Sequence, residues 1–215
     1  MSKNLSKNQL RRLPEYLTLL RNLKQNGIKY ISCQTIADCL NLNKELVRKD
    51  IAAVSSYDGV PNKGRDIVLL IKDFEKILGY DSSHNAVLVG VGSLGKALLC
   101  YDGFSTYGLK IVGAFDRNPE LIGRTINDIH IYDSRRMFGT LSTLNANIGI
   151  ICVPSGFAQE VANDLVDSGI EAIWNFAPTK IEVKKDVILS NMDMATSLAV
   201  LSHQLYLKKN KRKEN

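Results

Sequence analysis

The first 80 residues place apolar side chains at helical spacing in short segments that end at glycines. Leucines recur every three or four positions over 13–25, and the pattern stops at Gly27. The segment Leu69–Leu78 has similar spacing and stops at Gly79. Such spacing is typical of amphipathic helices, and glycine commonly ends a helix. The first third of the chain is therefore predicted to be helical.

Two further helices are predicted between these segments. Ser32 can cap a short helix, because its hydroxyl accepts from the exposed N–H groups of the first turn. After a turn at 41–43, another helix runs from Lys44 to about Ser56. The stretch Asp58–Arg65 is rich in turn residues and predicts a hairpin or wing. A short helix, a tight turn and a helix with exposed basic residues are the layout of a winged helix-turn-helix.

The rest of the chain alternates apolar strands with helical segments. Strands are predicted at 85–89, Leu109–Phe115, Ile148–Val153, Ala172–Phe176 and Val187–Ser190, with a helix over Phe157–Ser168. Alternation of this kind predicts a Rossmann-type doubly wound parallel sheet, and hence an α/β fold. A ligand of such a sheet lies across the carboxyl ends of its strands.

The strongest motif follows the first of these strands. It is the run Gly90, Val91, Gly92, Ser93, Leu94, Gly95, a G-x-G-x-x-G between a strand and a helix. The first glycine permits the tight turn, the second lets a pyrophosphate approach, and the third allows close packing of helix on strand. The helix N-terminus adds N–H groups that favour phosphate. We therefore expect a dinucleotide here; another nucleotide or coenzyme A is the alternative.

An acidic residue suggests which dinucleotide is bound. Asp116 ends the next strand, 21 residues after Gly95. An acid at this point suits a ribose diol and disfavours a 2′-phosphate, which indicates NAD(H). Arg117 beside it keeps NADP as the lesser alternative. Lining loops are expected after the later strands, with contacts from Val153, Pro154 and Phe176.

The last predicted element is an amphipathic helix from Asp193 to Leu207. Leu198, Leu201 and Leu205 share one face, which either caps the core or forms a domain-swapped dimer. The predicted domains are therefore a winged helix at 1–80, a cofactor domain at 81–192, and a terminal helix with a basic tail at 193–215.

The formal net charge of +6 is unevenly distributed. Residues 1–80 carry 14 Lys and Arg against 8 Asp and Glu, residues 81–207 carry 9 against 13, and residues 208–215 carry 5 against 1. A basic first third favours a nucleic-acid partner, although a merely solvated basic surface would look the same. The candidate contacts to double-stranded DNA are Arg11, Arg12, Lys44, Arg48, Lys49, Lys63 and Arg65.

The roles of these cations follow from DNA chemistry. Arginine or lysine on the third helix can donate to guanine edges in the major groove. Cations of the wing and of the first helix would contact phosphates and make the affinity strongly dependent on salt. The alternative is that the helices and wing form a protein-interaction module.

Composition excludes several other classes. The chain has 215 residues, of which 45% are hydrophobic and 23% charged, as in globular proteins. Its longest apolar runs are strand-sized, and its N-terminus is polar, so neither a membrane span nor export is expected. The four cysteines form no CxxC pair and are expected to be reduced, buried thiols rather than a disulfide framework, and no metal site is expected. A cytoplasmic protein is predicted.

The cofactor domain lacks the pattern of an enzyme. A nicotinamide dehydrogenase needs a proton donor and a substrate pocket, yet the chain has no Tyr-x-x-x-Lys. His84 is expected in the interdomain linker, His130 on a strand and His203 on the last helix. These features favour a non-enzymatic protein that binds the cofactor and reports on it. The alternative is an NAD-dependent oxidoreductase with an N-terminal interaction domain.

Several short motifs in one order resemble the Rex family of bacterial redox-sensing transcriptional repressors over nearly the full length. The matching stretches are Arg12-Leu13-Pro14-Glu15-Tyr16-Leu17, Val47-Arg48-Lys49-Asp50, Gly90–Gly95, Ala114-Phe115-Asp116, Val153-Pro154 with Ala158-Gln159, Asn175-Phe176-Ala177-Pro178 and Asn191-Met192-Asp193. The resemblance implies a winged-helix domain, a Rossmann domain, a homodimer with swapped C-terminal helices, and competition of NADH with NAD⁺ to set the affinity for DNA.

The resemblance also implies a switch. Tyr101 resembles the tyrosine that senses the nicotinamide, and Asp193 resembles the acid that exchanges partners between that tyrosine and an N-terminal arginine, here Arg12. Arg48 and Lys49 match the recognition helix, and Asp116 matches the acid at the adenosine ribose.

The chain departs from the family at two places. Family wings are close to Gly-Lys-Arg-Gly-x-Gly-Tyr, whereas here the stretch 57–66 is shorter, and its Asp58 and Asp66 are expected to repel phosphate. A third hypothesis, besides the DNA-binding repressor and the oxidoreductase, is therefore an NADH sensor that acts on a protein partner instead of DNA. Met194 stands where an aromatic residue or leucine is commoner.

Overall fold

The computed structural model describes residues 5–192 and 194–211. It divides into two compact units, Met1–Ser82 and Ser83–Asn215. The division lies two residues from the boundary expected at 80/81, and the terminal helix is grouped with the second unit.

The first unit consists of four helices and a short antiparallel strand pair. Its elements are α1 Lys7–Gln25, β1 Tyr30–Ile31, α2 Cys33–Leu40, α3 Lys44–Val54, β2 Arg65–Asp66 and α4 Ile67–Leu78. The pair of β1 with β2 joins Tyr30 to Asp66 and Ile31 to Arg65. The predicted winged helix-turn-helix is thus confirmed in its order of elements.

Local capping explains where these helices begin. Ser32 caps α2 by accepting from the Thr35 N–H at 3.0 Å, as predicted. Helix α1 starts well before its leucine repeat, because Ser6 and Gln9 form a reciprocal capping box that the hydrophobic pattern does not register. Leucines of α1 then pack with apolar residues of the other helices in one buried core, formed by Leu13, Tyr16, Leu17, Leu20, Ile36, Val47, Ile51, Ile67, Leu70 and Phe74 among others.

The wing is a tight hairpin closed by a bridge between Val60 and Gly64. Gly64 has φ +89°, and a Cβ there would lie 2.3 Å from the carbonyl oxygen of Ile31, so only glycine fits. Asp66 has a structural role that its charge alone does not indicate. Its carboxylate caps α4, accepting from the N–H groups of Val68 at 2.8 Å and Leu69 at 3.1 Å.

The second unit contains a seven-stranded sheet. Its strands are β3 His84–Val89, β4 Leu109–Asp116, β5 Thr125–Ile126, β6 Ile129–Asp133, β7 Ile148–Ile151, β8 Ala172–Asn175 and β9 Ile188–Asn191. Its helices are α5 Ser93–Leu99, α6 Met137–Leu144, α7 Ala158–Asp167 and α8 Met194–Lys211. The predicted strands are all present, and His130, expected on a strand, lies in β6. Strand β5 and helix α6 were missed because 117–147 has weak hydrophobic periodicity.

The strand order is β5-β6-β4-β3-β7-β8-β9. Apart from the antiparallel β5, every pairing is parallel, so the chain winds outward from β3 in both directions. This is the order of a Rossmann sheet, and the doubly wound prediction is confirmed. The order reverses between β3 and β7, and a crevice at that reversal is where such sheets bind ligands.

Two sequence expectations need correction. His84 is the first residue of β3 and not part of a linker. All four cysteines are free, but Cys39 and Cys100 are exposed rather than buried, because each lies at the outer end of a short helix. Cys152 is half-buried, and burial raises the pKa of its thiol to about 12.

The terminal helix α8 exposes its apolar side chains in the single chain. Leu198 and Leu201 are each 62% exposed and Leu205 is 50% exposed. The expectation that this face caps the core of its own chain is therefore wrong, since the leucines do not enter that core. Among the described residues, no helix is both long and apolar enough to cross a membrane.

Candidate functional site

The glycine-rich loop between β3 and α5 brings three backbone segments together. Gly90 has φ +98°, and a Cβ there would lie 2.8 Å from the carbonyl carbon and oxygen of Cys152. A Cβ on Gly95 would lie 2.0 Å from the carbonyl oxygen of Gly90. Both glycines are therefore required for packing, as the motif predicts.

The middle glycine has a different environment. A Cβ on Gly92 would meet no atom within 4 Å, so this stretch of backbone faces open space. Gly92 stands immediately before α5, whose first residue is Ser93. The loop thus leaves room for a ligand group to approach the backbone, which is the role expected of this glycine.

Asp116 at the end of β4 is held against the same loop. Its Oδ2 accepts from the N–H of Val91 at 2.6 Å, and its Oδ1 accepts from the N–H of Asn118 at 2.8 Å. An ionised carboxylate has about four acceptor positions, so two backbone bonds leave capacity for a ligand hydroxyl. The sequence correctly placed this acid beside the loop.

A cleft of about 1000 Å³ opens at the carboxyl ends of β3, β4 and β7. Most of the predicted cofactor residues line it, namely Gly90, Gly92, Leu94, Asp116, Arg117, Val153, Pro154 and Phe176. Val91, Ser93, Gly95 and Tyr101 do not. Val91 and Gly95 are buried beneath the loop and support its shape.

The structure adds a wall that the sequence did not predict. Ser134, Arg135, Met137 and Phe138 line the cleft from the end of β6 and the start of α6, and Phe157, Glu160, Val161, Asp164, Asp167 and Ser168 line it from the α7 side. The Oγ of Ser134 is buried and makes no hydrogen bond within the described part of the chain. The available sequence signal for β6, the strand that precedes this wall, was the apolar alternation at Ile129 and Ile131, followed by Asp133.

The charges along the cleft are largely paired. Arg117 forms an ion pair with Glu160 at 2.7 Å, and its guanidinium lies 5.3 Å from the centre of the Phe157 ring. Arg135 lowers the pKa of Asp133 through hydrogen bonds to its carboxylate. Burial, together with the neighbouring Glu160, raises the pKa of Asp164. Because Arg117 has an acidic partner, it is a poorer receptor for a 2′-phosphate than its sequence position suggests.

Tyr101 lies outside the cleft but is connected to it by aromatic contacts. Its ring centre lies 4.9 Å from that of Phe104, which is 5.9 Å from Trp174, which is 4.7 Å from Phe176. Phe176 lines the cleft, whereas Tyr101 is 53% exposed. Its predicted switch partner Asp193 lies outside the described residues.

The candidate DNA contacts of the first unit fall into two groups. Arg11, Lys44, Arg48, Lys49 and Lys63 are exposed, and Arg48 is paired with Glu45 on the same helix. Lys63 of the wing lies 5.9 Å from the centre of the Tyr30 ring. Two further candidates have hydrogen-bond partners within the unit. Arg12 donates to the Asp50 carboxylate. Arg65 donates to the Ser55 hydroxyl and to the Tyr57 carbonyl.

No group of three or more possible metal ligands occurs among the residues described. The described residues thus include a helix with exposed cations in the first unit and a cleft beside a glycine-rich loop in the second.

Comparison with known protein families divides the chain in the same way. A family model described as a CoA binding domain matches residues 81–179. A second model, described as the N-terminus of a putative DNA-binding protein, matches residues 4–52.

Curated relatives extend the match to nearly the whole chain. The redox-sensing transcriptional repressor Rex of Bacteroides fragilis is 39% identical over 196 residues, which is 91% of this chain and 89% of that protein. The protein of the same name from Clostridioides difficile is 37% identical over 202 residues, which is 94% of this chain and 96% of that protein.

Solved structures of RSP, described as a Rex-family repressor, are also similar. RSP alone matches with a TM-score of 0.88 and 33% identity, covering 98% of both chains. Its complex with β-NAD⁺ and operator DNA matches with a TM-score of 0.89, covering 98% of this chain and 96% of that one. Its complex with β-NADH matches with a TM-score of 0.87, covering 98% of this chain and 99% of that one.

The loop geometry predicts different responses of two glycines to the same substitution. Gly95→Ala should destabilise the second unit by about 1–3 kcal/mol, because the new methyl overlaps the Gly90 carbonyl oxygen. Gly92→Ala, the matched control, should change stability by less than about 0.5 kcal/mol, since its methyl enters open space. Urea unfolding followed by the fluorescence of Trp174 measures both. Equal losses for the two variants would contradict this packing.

Proposed function

The chain belongs to the Rex family, and we propose that it is a redox-sensing transcriptional repressor that binds operator DNA when NADH is scarce and releases it when NADH binds. The observation that carries this proposal is that one chain joins a cation-bearing recognition helix to a dinucleotide-type cleft, and that its relatives match both units. An operator-binding protein works where the chromosome is, so we place it in the cytoplasm.

The cleft fits NAD(H) better than coenzyme A, although one matching family model is described by the latter. The open backbone at Gly92 would receive the pyrophosphate, and the remaining acceptor positions of Asp116 would receive ribose hydroxyls. The buried Oγ of Ser134 on the cleft wall, which has no hydrogen-bond partner among the residues described, is a further candidate partner for the nucleotide. The cofactor supplies a nicotinamide ring that is neutral when reduced and cationic when oxidised.

DNA reading would be carried by α3. Lys49 and Lys44 are exposed on this helix, and Arg48 would exchange its Glu45 partner for DNA. In a major groove these side chains can donate to base edges, while the exposed Arg11 and the exposed wing residue Lys63 would contact phosphates. The wing retains a usable cation even though Arg65 is engaged within the unit, which favours DNA over a protein partner.

The switch requires that the two redox states of the cofactor have different preferences for the two protein states, because equal binding would shift nothing. We propose that Tyr101 and Asp193 read the nicotinamide and that Arg12 receives the change. The aromatic contacts from Tyr101 to Phe176 support a route from the cleft to this tyrosine. The residues would bind and report, without catalysing turnover.

A homodimer is part of the proposal. The leucines of α8 are at least half exposed in the single chain, and an apolar face of this kind is stabilised by burial against a second copy. A two-fold dimer would place two recognition helices on half-sites whose spacing follows the DNA repeat, so that a small rotation would remove both from register.

A gel-shift titration tests the proposed function. The purified chain is mixed with duplex DNA from upstream regions of its own genome, with NAD⁺ or NADH added. We expect a shifted band without cofactor and with NAD⁺, and loss of that band as NADH increases. The proposal is contradicted if the chain shifts no upstream duplex, or if the shifted band does not change when NADH is added. In a separate assay, steady NADH turnover with small aldehydes or 2-oxo acids would indicate an oxidoreductase.

Asp116→Asn tests the cofactor site separately. The amide can still accept from the Val91 N–H but loses the charge that strengthens hydrogen bonds to ribose hydroxyls, so NADH affinity should fall about tenfold. Asp186→Asn, an exposed residue outside the cleft, is the matched control and should leave the affinity unchanged. Quenching of Trp174, the single tryptophan, reports binding. If both variants bind NADH like the wild type, Asp116 does not contact the cofactor.

A further inference from the structure

The recognition helix contains a buried aspartate that does not belong to its DNA-facing surface. Asp50 on α3 is 1% exposed, whereas the two residues before it, Arg48 and Lys49, are exposed. Neither the cofactor cleft nor the direct DNA contacts use this carboxylate. A charge is rarely buried in a small helical unit without a partner that holds it there.

Two residues of α1 hold it from the neighbouring helix. Arg12 donates to Asp50 through Nε to Oδ2 at 2.7 Å and through Nη2 to Oδ1 at 2.9 Å. Tyr16, which is fully buried, donates its hydroxyl to Oδ2 at 2.8 Å. We call this group, Arg12, Tyr16 and Asp50, the α1–α3 clamp.

The clamp keeps its charges at neutral pH. Burial alone would raise the pKa of Asp50, but the hydrogen bonds from Arg12 and Tyr16 outweigh it and hold the pKa below its ordinary value. Burial and the Asp50 carboxylate raise the pKa of Tyr16 to about 12. The carboxylate therefore stays ionised and the phenol stays protonated, as the geometry requires.

The geometry of the clamp has a consequence for Arg48 and Lys49. The apolar contacts of Val47 and Ile51 hold α3 against the core, but apolar contacts have no preferred direction. A bidentate arginine–carboxylate pair does have a preferred direction. Because successive helix residues are about 100° apart around the axis, fixing the direction of Asp50 also fixes the directions of the residues before it.

We propose that Asp50 is a positioning residue for DNA recognition, and that the α1–α3 clamp sets the rotation of the recognition helix and so determines which base edges Arg48 and Lys49 reach. This rests on the proposed function as an operator-binding protein. It also means that Arg12 acts on DNA through Asp50, rather than by contacting phosphate as its charge suggests.

The test compares specific with non-specific binding, because a lost clamp should disturb base register more than phosphate contacts. Asp50→Asn should lower the ratio of operator affinity to affinity for a scrambled duplex of equal length by about tenfold or more. The operator is the upstream duplex that the wild-type chain shifts. Fluorescence anisotropy is measured on the full chain at a temperature where circular dichroism shows every variant folded.

Glu75→Gln is the matched control. Glu75 on α4 forms an ion pair with Arg21 at 2.7 Å, and both side chains are partly exposed. Arg21 lies on α1, the helix that also carries Arg12 and Tyr16. This variant weakens an inter-helix ion pair without touching α3, so it should leave the affinity ratio within about threefold of the wild type. A general loss of stability would move both variants alike, whereas a positioning role moves only Asp50→Asn.

Two milder variants keep the proposal testable if Asp50→Asn does not fold. Tyr16→Phe removes one hydrogen bond, and Arg12→Lys keeps the charge but loses the two-pronged geometry. Both should reduce the affinity ratio, by less than Asp50→Asn if that variant folds. If all folded clamp variants keep the wild-type ratio, the inference is wrong while the proposed function stands. If the wild type itself binds no operator, the proposed function fails.

Discussion

The close approach of three backbone segments at the glycine-rich loop is the constraint on which the cofactor unit depends. The Gly90 carbonyl is packed against the backbone at Gly95, and Gly90 itself is packed against Cys152 after β7. No side chain larger than hydrogen fits at either contact. Because of this packing, α5 begins directly beside the point where the strand order reverses, and Gly92 is left facing open space. The cleft exists because these backbones meet so closely.

The first unit depends on an interaction of a different kind. Its core is held by non-directional apolar packing, while the clamp on Asp50 adds a directional contact between α1 and the helix that carries the exposed cations. A DNA-reading helix needs both, since affinity comes largely from phosphate contacts but specificity depends on angle and register. The coupling that an allosteric repressor needs is typically about 1–3 kcal/mol, which is small beside the packing of either unit. Small rearrangements of polar contacts are therefore sufficient for a switch.

Much of this could be predicted from the sequence, because several elements are specified locally. The glycine spacing, the strand before it and Asp116 after the next strand lie within a short stretch, and the motif fixes their geometry. The Ser32 cap is equally local. The cleft wall around Ser134 was missed because it lies between the short strand β6 and the helix α6, which the sequence does not predict. The terminal helix was identified, but the placement of its leucines outside the core of its own chain could not be read from their spacing.

Other features could not be predicted because they depend on tertiary pairing. Arg12 and Asp50 are 38 positions apart, and nothing in their spacing indicates that one would hold the other. For the same reason the sequence predicts Arg12 and Arg65 as DNA contacts, although both have partners within their unit. Asp66 was interpreted through its charge, whereas the fold uses it as a helix cap. Residue type suggests what a side chain can do, and packing decides whether it is available to do it.

The central claim is that cofactor and DNA compete through one conformational equilibrium, so their effects must be reciprocal. The most direct test measures the Kd of NADH, by Trp174 quenching, with and without saturating operator duplex. Operator DNA should weaken NADH binding by the same factor by which NADH weakens operator binding, while a scrambled duplex should have no such effect. An unchanged Kd for NADH in the presence of bound operator would contradict it.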